Sequence, residues 1–113
     1  MALTIDIEDQ AGTSVVRLKG ELADSGDHAL VDAGRRLLEK DGARVVFDLG
    51  QVSFLSSCGL GDLVRLTAQA NSQGARIILA NLTPFVSELL STTCLDKFFE
   101  VCPDIEAALA RLK

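Results

Sequence analysis

The sequence has no tryptophan and no tyrosine, and its five aromatic residues are all phenylalanine. A chain this poor in stacking side chains offers little platform for nucleic-acid bases. Its net charge of −5, from 11 Lys and Arg against 16 Asp and Glu, also leaves it without the basic face that a phosphate backbone needs. No nucleic acid is therefore expected as a partner, and an acidic surface suits solubility or a basic protein surface instead. Cysteine is scarce as well. Cys58, Cys94 and Cys102 form no CxxC pair and leave an odd one over, so free thiols are expected. Their spacings of 36 and 8 residues, with one distant histidine, match no familiar zinc pattern. No apolar run approaches bilayer length, so no direct membrane insertion is expected. The opening "MALTIDIEDQ" places acids where a signal peptide has a basic start and a long apolar core, and the chain reads as cytoplasmic.

What is present is an ordinary globular composition: 113 residues, 48% apolar, 24% charged, two prolines. That length predicts one domain over residues 1–113 with a single modest core. "LTIDIED" alternates apolar Leu3, Ile5 and Ile7 with polar neighbours, as a half-buried strand does, and "TSVVRLKG" follows as a second strand after a turn at Ala11-Gly12. The period then changes. Leu30, Ala33, Leu37 and Leu38 share a helical face, with Asp24 or Ser25 as cap and Gly42 as stop. "ARVVFDL" and "ARIILAN" are continuous apolar runs of the kind covered on both faces of a parallel sheet. Between them a second helix places Leu60, Leu63, Val64, Thr67 and Ala68 on one face and stops at Gly74. Thr83-Pro84 is a good cap and first-turn pair for a third helix. "DKFFEV" reads as a short strand and "PDIEAALARLK" as a last helix with Ile105, Ala108, Leu109 and Leu112 inward. The order β-β-α-β-α-β-α-β-α implies an α/β domain with a mostly parallel sheet of four to five strands and about four helices.

The stretch "VVFDLGQVSFLSSCGLGDLVRL", residues 45–66, stands apart. It reads as a loop leading from a buried strand into a helix, and it sets Ser56, Ser57 and Cys58 side by side before Gly59 and Gly61. Functional loops gather at such strand ends, and a helix N-terminus favours an oxyanion. Simple capping by serine is one reading. One serine suffices for that, however, and two glycines weaken the helix. Leu55 would be exposed if this loop is a surface. A hydrolase is a poor fit: the serines lack the GxSxG elbow, and His28, the sole histidine, falls at the start of the first helix. Cys58 could be redox-sensitive at a helix N-terminus, although packing as a small buried residue is preferred. No lysine lies in or just after the turn, so no GxxxxGK[ST] phosphate loop is present.

Residues 45–66 resemble the central motif of STAS domains, especially bacterial anti-sigma factor antagonists, whose common form is D-L-x-x-V-x-F-[ML]-D-S-S-G-L-G. Asp48, Leu49, Val52, Phe54, Leu55, Ser57, Gly59, Leu60 and Gly61 fit it in order. "VVRLKGEL" looks like the family's second strand and following turn, and the likeness continues through "ARIILANLTPFVSELLSTTCLDKFFEV" and "PDIEAAL". Three positions depart: Ser56 replaces the motif's Asp, Cys58 replaces its second Ser, and "GELAD" has Ala23 at the usual Asp with Asp24 one place later.

The resemblance implies a regulatory protein and not an enzyme, with no cofactor. Such antagonists bind an anti-sigma factor that is itself a serine kinase, and so free a sigma factor to direct transcription. The kinase phosphorylates the serine after the motif's Asp and a metal-dependent serine phosphatase reverses it, which makes Ser57 the matching acceptor, with Ser56 as rival. The expected contact face is Ser56, Ser57, Cys58, Gly59, Asp62 and Arg65, with Asp24 contributing from the neighbouring turn, on a monomer or weak homodimer. A rival implication is a constitutive STAS interaction or scaffold module, in a signalling or lipid-transport assembly, that is never phosphorylated. Nucleotide binding is a third.

Overall fold

The computed structural model describes residues 3–10, 12–22 and 29–112. Two strands come first, β1 (Thr4–Gln10) and β2 (Thr13–Leu22). They are joined by a turn short enough for an antiparallel hairpin, and β1 lies along the sheet edge. Every later strand is reached through a helix, so the chain crosses over and the remaining neighbours pair parallel. In chain order these elements are α1 (Ala29–Leu37), β3 (Arg44–Leu55), α2 (Ser57–Ser72), β4 (Arg76–Ala80), α3 (Pro84–Thr92), β5 (Glu100–Cys102) and α4 (Ile105–Arg111). The sheet runs in the order of the sequence, β1-β2-β3-β4-β5.

Alternation along the strands sends side chains to two cores. Val16, Leu18, Val45, Phe47, Leu49, Ile77 and Leu79 meet Leu30 and Leu38, then Leu60, Leu63 and Leu66 of α2, and Val86 and Leu90 of α3. The opposite face is smaller: Val15, Val46, Ile78, Ala80 and Cys102 pack on Ala108 and Leu112 at the α4 end. Because β3 is covered on both sides, Val45, Val46 and Phe47 are all essentially inaccessible. That explains why this segment reads as a continuous apolar run without alternation.

The helix ends follow local rules. The Oγ1 of Thr83 accepts a hydrogen bond from the Val86 N–H at 3.2 Å, and Pro84 opens α3. An Asp104 carboxylate oxygen accepts from the Ala107 N–H at 2.7 Å at the start of α4. Gly74, with φ +76°, follows the α2 cap, and the Ala75 N–H reaches back to the Ala70 carbonyl at 2.9 Å. Four expectations need correcting. Helix α1 ends at Leu37, before Gly42, because the chain tightens into turns from Leu38 onward. Ala68 is exposed, while Leu66 and Ala70 complete the buried face of α2. The last short strand holds only Glu100–Cys102, since residues 95–99 form a turn. Most of β1 is exposed, Ile7 included, because it is the edge strand of the sheet and only Ile5 of its described residues packs against the main core. The proposed α1 caps Asp24 and Ser25, together with Ala23 and His28, lie outside the described residues.

An exposed ion pair spans the two strands of the hairpin. The Arg17 guanidinium donates to Glu8 at 2.5 Å and keeps that carboxyl below its ordinary value of 4.5. A lowered carboxyl pKa stabilises the fold above the unfolded value, and the stabilisation is lost as pH falls through the folded one. Both side chains are well exposed, so the effect is small. Glu8→Gln is therefore expected to reduce the loss of thermal stability between neutral pH and pH below 4.5 only slightly, as read by thermal melts across that range.

Candidate functional site

The serine turn is shorter than the sequence suggests. Residues 50–55 are not loop but the second half of β3, held by continued pairing with the long β2: Lys19 opposite Gln51, Gly20 opposite Val52, Leu22 opposite Leu55. Register shifts on either side of Lys19 and Gly20 let the two strands stay paired around irregular backbone. Asp48 helps carry β3 past Gly50. One of its carboxylate oxygens accepts from the Gly50 N–H at 2.9 Å and from the Asn81 amide at 3.2 Å, and the other lies 3.9 Å from Arg17. Only Ser56 then separates strand from helix. Leu55 is buried, contrary to expectation, because it belongs to a strand and turns into the main core.

The two serines have different jobs. Ser56 is the N-cap in extended conformation, and its Oγ accepts a hydrogen bond from the Gly59 N–H at 3.0 Å. Its own N–H donates to the Leu22 carbonyl at 3.0 Å, which fastens the turn to the end of β2. Replacing Ser56 with alanine is expected to cost about 1 kcal/mol. The measurement is a fall of a few degrees in the unfolding midpoint. Ser57, the first residue of α2, is exposed, and its hydroxyl makes no hydrogen bond among the described residues.

The other candidate residues divide. Cys58 is exposed, not packed in the core as preferred from sequence, because the first turn of α2 directs it away from the sheet; Cys102 is the buried thiol. Arg65 is exposed and donates to the half-buried Asp62 at 2.8 Å. Gly59 is buried and so lies beneath the surface. A Cβ built there would come within 2.8 Å of the Leu22 carbonyl carbon and closer still to its oxygen. Close helix–strand approach, not partner contact, accounts for that glycine. Asp24 lies outside the described residues. Sequence reasoning missed Phe54 and Phe85, whose half-exposed rings stack with centroids 6.3 Å apart. The apolar character of Phe54 masked it, since only the strand register turns it outward. Among the described residues, no three His, Cys, Asp or Glu side chains are placed to hold a metal ion, and no helix is long and apolar enough to cross a membrane.

A family model described as the STAS domain matches residues 4–108. The chain belongs to the STAS domain family. This STAS domain is 29% identical over 113 residues to BtrV of Bordetella bronchiseptica, a protein named as an anti-sigma factor antagonist; the match covers 100% of this chain and 96% of that one. It is also 29% identical over 118 residues to the anti-sigma F factor antagonist of Paenibacillus polymyxa, covering 100% and 97%. Among solved structures, an anti-sigma factor antagonist from Mycobacterium paratuberculosis superposes with a TM-score of 0.82 at 29% identity, over 98% of this STAS domain and 94% of that chain.

Proposed function

We propose that this STAS domain is an anti-sigma factor antagonist. It binds an anti-sigma factor with serine kinase activity and is released when that kinase phosphorylates Ser57; a metal-dependent serine phosphatase restores it. The observation that carries the reading is the division of labour in the serine turn: Ser56 does the capping, and Ser57 is left exposed at the helix start with no hydrogen bond to its hydroxyl among the described residues. Ser56 is half-buried with its Oγ engaged by the Gly59 N–H, whereas Ser57 is exposed, which favours Ser57 as acceptor. The new anion on Ser57 would stand at the positive end of the α2 dipole, so the fold tolerates it. At the contact surface it adds about two negative charges to an already acidic protein. The contact surface in this reading comprises Ser57 and Cys58 with Asp62 and Arg65 of α2, while Ser56 shapes the turn beneath them. The domain works in the cytoplasm by binding and carries out no chemistry of its own.

The test is intact-mass spectrometry after incubation with serine-kinase anti-sigma factors of the same genome, ATP and Mg²⁺, with the site mapped by fragmentation. A single phosphate on Ser57 supports the switch. Ser56 in place of the motif's Asp favours a second reading, a constitutive docking module. Tight binding with no phosphate from any kinase would select it.

A further inference from the structure

Two glycines follow the serine turn, and the described residues explain only one of them. Gly59 is forced by the Leu22 carbonyl, whereas a Cβ built at the half-buried Gly61 would meet nothing within 4 Å among the described residues. Gly61 lies inside a 16-residue helix, and its φ is not among the positive ones. Alanine there would be compatible with the backbone and would favour the helix. Among the described residues, then, glycine at 61 is a cost without a return.

The position of Gly61 supplies the return. Residues four apart on a helix stand one above the other, with Cβ atoms about 5–6 Å apart. Cα–Cβ bonds tilt toward the helix N-terminus, so a side chain covers the turn before its own Cα. A side chain at 61 would therefore lean over the turn that begins with Ser57. Ser57 is the first helical residue, so no earlier turn of α2 stands above it, and the next residues down that side are Val64 and Arg65, a further turn away.

We infer that Gly61 is a clearance residue: its missing side chain lets a kinase active site close around the Ser57 hydroxyl. This rests on the proposed phosphorylation of Ser57. In that reaction the Ser57 Oγ attacks the γ-phosphorus of ATP, ADP leaves, and the hydroxyl proton passes to the kinase's base. The attacking oxygen must reach within about 3–3.5 Å of phosphorus and in line, a geometry in which a misplacement of ~1 Å costs roughly a hundredfold in rate. An isobutyl group one turn below the acceptor is large enough to cause that displacement, and a methyl group causes a smaller one.

The experiment compares full-length wild type, Gly61→Ala, Gly61→Leu and Ser57→Ala as substrates of the anti-sigma factor kinase that modifies the wild type, with thermal melts of each. Gly61→Ala is expected to melt about 3–6 °C higher. Its kcat/KM for phosphorylation should fall by roughly two- to tenfold, and that of Gly61→Leu by roughly a hundredfold or more. A rise in stability with a fall in rate is a combination that a merely structural role does not produce. Gly61→Leu phosphorylated at the wild-type rate, while Ser57→Ala takes no phosphate, overturns the clearance role and leaves the switch standing. A wild type that receives no phosphate on Ser57 removes both.

Discussion

Ser57→Asp is expected to lose at least a hundredfold in affinity for the anti-sigma factor, about 3 kcal/mol, while its unfolding midpoint moves by no more than about 3 °C. The two halves of that result have separate physical origins. Stability is spared because the cap is made by Ser56, which satisfies the Gly59 N–H, and the Ser57 hydroxyl has no bond to lose among the described residues. A carboxylate in the first turn of a helix is in addition mildly favourable. Binding is lost because an interface that closes over Ser57 would desolvate a charge for which it has no partner, a penalty of about 2–5 kcal/mol. Titration calorimetry against the anti-sigma factor, with calorimetric melts of the same samples, measures both. A variant that binds like wild type would show that Ser57 is not at the contact.

Gly59→Ala is expected to do the reverse and damage the fold itself, by about 3 kcal/mol or more. The obstacle is backbone. The carbonyl carbon of Leu22 would lie 2.8 Å from the new methyl group, and the same carbonyl accepts the Ser56 N–H that anchors the turn. Moving it would break that bond and shift the end of β2. Gly34→Ala is the instructive contrast. Its Cβ would come within 2.7 Å of both Leu66 Cδ atoms, but those are the far end of a side chain that can rotate. Alanine also favours the α1 helix in which Gly34 sits. Chemical denaturation should show a large drop in midpoint for Gly59→Ala and a much smaller change for Gly34→Ala. Similar values for the two would mean that β2 yields to the methyl group as easily as a leucine side chain does.

The order of elements and the serine motif were legible because each rests on local chemistry: alternation in β1, continuous apolar runs in β3 and β4, and Thr83-Pro84 as cap and first turn of α3. What escaped were properties set by partners distant in sequence. Residues 50–55 look like a loop, with Gly50 and Gln51 interrupting the apolar run, and only pairing with β2 some 30 residues earlier makes them strand. Leu55 and Phe54 are both large and apolar, yet one is buried and the other half-exposed, a choice made by the sheet register. Ser56 and Ser57 are chemically identical, and the geometry of one hydrogen bond separates cap from candidate acceptor. Gly59 and Gly61 are equally indistinguishable until the Leu22 carbonyl is in place.

The unequal dressing of the sheet has a practical consequence. Helices α1, α2 and α3 share one face, and the C-terminal helix packs alone on the other. A fluorescent protein or surface tether joined after α4 would therefore hang behind the sheet, away from Ser57. If the proposed contact through Ser57 holds, labels placed there should report complex formation without blocking it, whereas a dye on the neighbouring exposed Cys58 should interfere.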